Sequence, residues 1–90
     1  MSMNNAIAAT RVLNHFPPTN QCHKVLNHLV MKGSISPLEA SKLYGVERLT
    51  SRIHDIKRQS DIVGTPIRIT KEMRSDLPGK RYARYYLHTN

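Results

Sequence analysis

The sequence predicts an α+β domain: three helices followed by a C-terminal antiparallel β-hairpin, with an extra segment at the N-terminus. Three observations predict it. Between residues 19 and 60, apolar residues recur at helical spacing in three blocks, divided by Gly33 and Gly45. From residue 67 the period changes to two, as Ile67 and Ile69 alternate with Arg68 and Thr70, and Ala83, Tyr85 and Leu87 alternate with Tyr82, Arg84, Tyr86 and His88. Finally, fourteen Lys and Arg stand against six Asp and Glu, a formal charge of +8 on 90 residues, and the excess is uneven. Residues 1–47 hold four cations and two acids, a net +2. Residues 48–90 hold ten cations and four acids, a net +6.

These figures bound the function. A chain of 90 residues has room for one core. At 39% hydrophobic it is too rich in aliphatics for a disordered chain. No apolar run reaches the ~18 residues of a membrane span, and no export leader is visible, so a cytoplasmic protein without a membrane partner is expected. Cys22 is the single cysteine, which fits a reducing compartment. A small domain this basic usually meets a polyanion, and nucleic acid is the first candidate.

Taken in order, residues 1–18 form an N-terminal extension or arm that ends at Pro17-Pro18, where proline stops any helix. Ala8, Val12 and Phe16 share one helical row, so the segment reads either as a loosely ordered extension or as an amphipathic arm. Such an arm would pack on the domain or on a second subunit in a homodimer. The domain proper spans residues 19–90. Thr19 or Asn20 can cap the first helix, whose apolar face runs from Cys22 through Val25, Leu26, Leu29 and Val30 to Met31. Gly33 stops it. Ile35 lies in a short extended link. Ser36 then opens the second helix with Pro37 in the first helical position and Glu39 at N3, the spacing of a capping box. Gly45 ends that helix, and after a turn of three to four residues a third begins. Leu49, Ile53 and Ile56 trace its buried face as far as Gln59 or Ser60. The second helix, the turn and the third helix have the spacing of a helix-turn-helix. The hairpin that follows is expected to carry a long basic loop from Lys71 to Lys80, with Asp76-Leu77-Pro78-Gly79 as its turn.

Gly33 to Ala40, Tyr44 to Arg58 and Gly79 to Leu87 resemble a family of small winged helix-turn-helix domains common in bacteriophage and prophage proteins. The likeness covers about Thr19 to Leu87 and is more specific for the fold than for the task. It implies a double-stranded DNA-binding protein of phage type, a transcriptional regulator or a recombination or excision accessory factor, rather than an enzyme.

On DNA, the third helix would enter the major groove and read base edges. Its outward residues then become the candidates: Arg48, Ser51, Arg52 and His54 toward bases or adjacent phosphates, Lys57 and Arg58 toward the backbone, with Thr50 beside Lys57 on the flank. Arg52 can instead brace the motif against Glu39, and Arg48 against Glu47 or Glu39. Glu47 and Asp55 on the same face either accept from cytosine or are simply solvated. Arg68, Lys71, Arg74, Lys80 and Arg81 are expected to cluster at the hairpin loop and lie on the phosphate backbone. A basic hairpin that only aids solubility is the bland alternative. Tyr82 and Tyr86 invite base stacking, whereas Tyr85 falls on the core face.

Other chemistry finds little support. The five histidines and Cys22 show no zinc-ligand spacing, and Cys22 belongs to an apolar helix face. No glycine-rich phosphate loop or carboxylate pair occurs, so no catalytic residue, metal or cofactor is expected. The rival reading is a small phage protein that uses the same fold to bind and inhibit a host protein, with Glu47, Asp55 and the N-terminal segment as its contacts. RNA or a ribosomal surface is permitted by charge alone.

Overall fold

The computed structural model describes residues 5–88; the side chains of residues 5, 6, 76 and 77 lie outside that description. The described chain runs α1 (Asn5–Leu13), α2 (Gln21–Lys32), β1 (Ser34–Ile35), α3 (Pro37–Tyr44), α4 (Leu49–Ile62), β2 (Ile69–Leu77) and β3 (Lys80–Leu87). Four helices therefore stand where three were expected, and the sheet has three antiparallel strands in the order β1-β3-β2 rather than two.

The added helix α1 belongs to the core. Ala8, Ala9, Val12 and Leu13 are buried, and Phe16 packs against the same cluster as α2 and α4. The apolar row that could have served a second subunit is thus covered within the chain. Residues 1–4 of the N-terminal segment and residues 89–90 at the end of the domain lie outside the described residues.

Capping chemistry sets the remaining helices. Asn20, rather than Thr19, caps α2: its side chain accepts from the Cys22 N–H at 2.7 Å. Cys22, Val25, Leu26 and Leu29 are buried as the periodicity implies, whereas Met31, about 200° around the helix from Leu29, is exposed. At α3 the capping box is complete. The Ser36 Oγ accepts from the Glu39 N–H at 3.2 Å, and the Ser36 N–H donates to Glu39 Oε1 at 2.9 Å. Gly45 closes α3 in the left-handed conformation at φ 68°, where a side chain would be strained. The Val46 N–H then reaches back to the Ala40 carbonyl at 3.0 Å, and Val46 is itself buried. This hydrophobic lock aims α4 across α2. Helix α4 runs two residues beyond the expected Ser60, and its buried line is Leu49, Ile53, Ile56 and Ser60.

The extended link at Ile35 is a strand. Ser34 pairs with Tyr86, and Ile35 with Tyr85. The long loop expected between Lys71 and Lys80 is not a loop. Residues 69–77 are strand β2, paired with β3 from Ile69↔Leu87 to Leu77↔Lys80, and the connection is the two residues Pro78 and Gly79. Residues 70–75 have a loop-like polar composition because their side chains on both faces of β2 are exposed, so no apolar alternation is required.

Candidate nucleic-acid interface

The helix-turn-helix is α3, residues 45–48 and α4. Taking Leu49 as zero at 100° per residue, the buried side chains of α4 lie within about 40° of that direction. The exposed arc, at about 80° to 180°, holds Thr50, His54, Lys57, Arg58 and Asp61. Arg52 and Asp55 are half-buried on the flank beside Cys22 of α2, and Ser51, at about 200°, is half-buried next to Arg58. Arg48, just before the helix, is exposed and forms no ion pair with a described side chain.

Arg52 is a brace, but not to Glu39. Its Nη2 lies 3.1 Å from Asp55 Oδ2 on the next turn of α4. Asp55 in turn lies 4.0 Å from the Cys22 thiol on α2, which also contacts the Arg52 carbonyl at 4.0 Å. Burial pushes the Cys22 thiol pKa up, Asp55 adds to the rise, and Arg52 opposes it. The thiol therefore stays protonated and acts as a core side chain. Glu39 takes Arg84 from β3 instead, at 3.1 Å, and Arg84 Nε also donates to Ser34 Oγ at 3.0 Å. Glu47 accepts from the Ser41 hydroxyl at 3.0 Å. Both acids of the expected reading face thus have internal roles.

Thr50 is tied to the sheet. Its hydroxyl lies 2.8 Å from the Tyr85 hydroxyl, which fixes the first turn of α4 against β3. This link was invisible in the sequence, because the two residues are 35 positions apart and Tyr85 read only as core. On the far side, His28 Nδ1 and the Tyr44 hydroxyl meet at 2.6 Å with the rings edge-on, locking α2 to the end of α3. Burial, and then Glu39, raise the Tyr44 pKa, so that bond keeps its phenol proton at neutral pH.

The wing cations do not cluster at a loop; they are strung along the strands. Arg68 precedes β2 at the base, Lys71 and Arg74 lie along β2, and Lys80 and Arg81 stand at the tip. Cross-strand partners share a face, so Lys71 lies beside Tyr85, and Arg81 follows on that face by alternation. Through the Thr50–Tyr85 bond, this is the face that meets the start of α4. Arg74 lies on the opposite face, opposite Tyr82, and its Nη1 donates to the Tyr86 hydroxyl at 2.8 Å. The phenol of Tyr86 and then the carboxylate of Glu72 favour its charged form.

The helix-turn-helix is followed by a hairpin whose β3 pairs with β1 and is bonded to the start of α4. A family model for a winged helix-turn-helix domain matches residues 20–90. The chain belongs to the winged helix-turn-helix domain family. No curated protein and no solved structure matches it significantly. In the terms of that family α4 is the second helix of the motif, and β2–β3 is the wing. Membership supports DNA as the partner. No helix among the described residues is long and apolar enough to cross a membrane.

Proposed function

We propose that this winged helix-turn-helix domain binds double-stranded DNA, with α4 in the major groove and the wing along the phosphate backbone. The observation that carries the reading is the bond between Thr50 and Tyr85. It joins the first turn of α4 to the strand face that also carries Lys71 and Arg81, which supports a single surface built from helix and wing. Ser51, His54 and Arg58 are the groove-facing residues in this reading. Arg48 and Lys57 flank them, and Lys71, Lys80 and Arg81 hold phosphates. Arg52 and Arg84 serve as braces. The protein acts in the cytoplasm of a bacterial host as a phage-type transcriptional regulator or as a recombination or excision accessory factor. A dimer on repeated sites would use a surface other than the covered row of α1.

The rival reading, inhibition of a host protein through Glu47 and Asp55, loses support from their internal partners Ser41 and Arg52. Binding of the full chain to random duplex DNA and to its own upstream region tests the proposal. Replacement of Arg58 and Ser51 by alanine is expected to weaken binding at least about tenfold and to reduce the preference between the two duplexes. Undiminished binding by that variant would exclude groove reading by α4.

A further inference from the structure

We propose a second interaction at the wing itself: the free edge of β3 accepts an extended acidic peptide segment of a partner protein as an added strand. This goes beyond DNA binding; Lys80 and Arg81 would serve either partner, so peptide and DNA would compete at the wing tip.

The edge follows from the register. The Leu87 N–H donates to the Gly33 carbonyl at 2.9 Å on the β1 side, and the His88 N–H donates to the Arg68 carbonyl at 3.2 Å on the β2 side. In an antiparallel strand the N–H and C=O of one residue face the same edge, and successive residues alternate. Those of Tyr85, Ala83 and Arg81 therefore face the same edge as those of Leu87. Strand β1 ends at Ile35, opposite Tyr85. Beyond it the chain leaves the sheet, because the Ser36 N–H is taken by Glu39 and the Ser36 carbonyl by the Ala40 N–H. The outward groups of Ala83 and Arg81 consequently have no strand opposite them in the described sheet. The irregular step between Arg74 and Leu77 adds its extra residue to β2, so β3 keeps its alternation to the tip.

This edge is not merely open surface; it forms one wall of a cleft of about 770 Å³. Lys80, Arg81, Tyr82 and Arg84 line the strand side, and Ser36 to Glu39 with Glu47 line the other. Leu38 is 63% exposed there although it begins a helix whose Ala40 is fully buried. Charge selects the occupant. Glu39 is matched by Arg84, and Glu47 is engaged by Ser41 at the helix wall. Lys80 and Arg81 at the wing end form no ion pair with a described side chain. An extended segment with acidic residues on the face of Arg81 and apolar ones toward Pro37 and Leu38 complements this edge, and Lys80 adds positive charge at the tip. Main-chain bonds to Ala83 and Arg81 would supply affinity, and the two cations would supply choice.

The test is an amide-resolved NMR titration of the isotope-labelled full chain with a blocked peptide of alternating Glu and Val. The Arg81 and Ala83 amides are expected to shift and to exchange more slowly with solvent. Ala83→Pro removes one outward N–H without touching the β2–β3 ladder, and it should weaken binding about fivefold or more. Should that variant fold poorly, Arg81→Glu leaves the backbone intact and should switch preference to a Lys-Val peptide. Shifts confined to α4, equal binding by Arg81→Glu, or equal binding by folded Ala83→Pro would overturn the proposal. It would also be overturned if a short DNA duplex, and not the peptide, moved the Arg81 and Ala83 amides. That outcome would assign the cleft to nucleic acid.

Discussion

Single side chains at the interface divide into those that face outward and those already engaged. Thr50 and Tyr85 show why the division matters, because one hydroxyl pair joins the start of α4 to the wing. Loss of the Tyr85 hydroxyl is expected to cost about 0.5–1.5 kcal/mol in urea denaturation. A double-mutant cycle of Tyr85→Phe with Thr50→Val should return a coupling of similar size, and a coupling of zero would show that the bond does not form in solution. Cys22 offers a test with a definite sign. Its folded pKa is raised, chiefly by burial and then by Asp55, so the unfolded thiol ionises first as pH rises. The stability it adds is fully present below the ordinary thiol range and fades above it. The stability difference between wild type and Cys22→Ala should therefore shrink between about pH 7 and about pH 10. A difference that grew with pH would mean a thiolate stabilised by Arg52.

At the scale of elements, the most legible pieces were those written in local chemistry. Ser36, Pro37 and Glu39 specify the start of α3 within four residues: Ser36 and Glu39 make the reciprocal capping bonds, and Pro37 occupies the first helical position. Ser36→Ala should lower stability by about 1 kcal/mol, seen as a lower denaturation midpoint without a change in slope. Helix α1 was only half legible. Its row of Ala8, Val12 and Phe16 could be read, but nothing local says whether such a row meets its own domain or another chain. The structure places it on α2 and α4, and Val12 is fully buried. Val12→Ala is accordingly expected to cost about 2 kcal/mol, whereas an arm outside the core would tolerate the change. Strand β1 is legible only as an extended link at Ile35, because two residues carry no periodicity. It exists through its pairing with Tyr85 and Tyr86.

Across the whole molecule the charge of +8 separates into working and bracing cations. Arg52 and Arg84 are committed to Asp55 and Glu39. Arg48, Lys57, Arg58, Lys71, Lys80 and Arg81 are exposed. If those six neutralise about six phosphates, the affinity for duplex DNA should fall with salt at a log–log slope of about −5. Replacing Lys71 and Arg81 together by glutamine should make the slope shallower by about 2, while Arg84→Gln should lower stability and leave the slope unchanged. A slope that responded equally to Arg84 would place that residue on the DNA as well.

By itself the sequence determined the helix-turn-helix, the caps of α3, the buried lines of α2 and α4, and the concentration of positive charge after residue 47. Each of these is encoded by residues a few positions apart. Only the tertiary structure decided that α1 completes the core, that Arg52 and Glu39 take partners other than each other, and that residues 71–80 are paired strand with a two-residue turn rather than a loop. It also decided where β1 leaves the edge of β3 open. The physical reason is that ion pairs, strand register and burial depend on which distant segments meet. A local pattern shows that a side chain needs a partner, and the fold alone selects which one it receives.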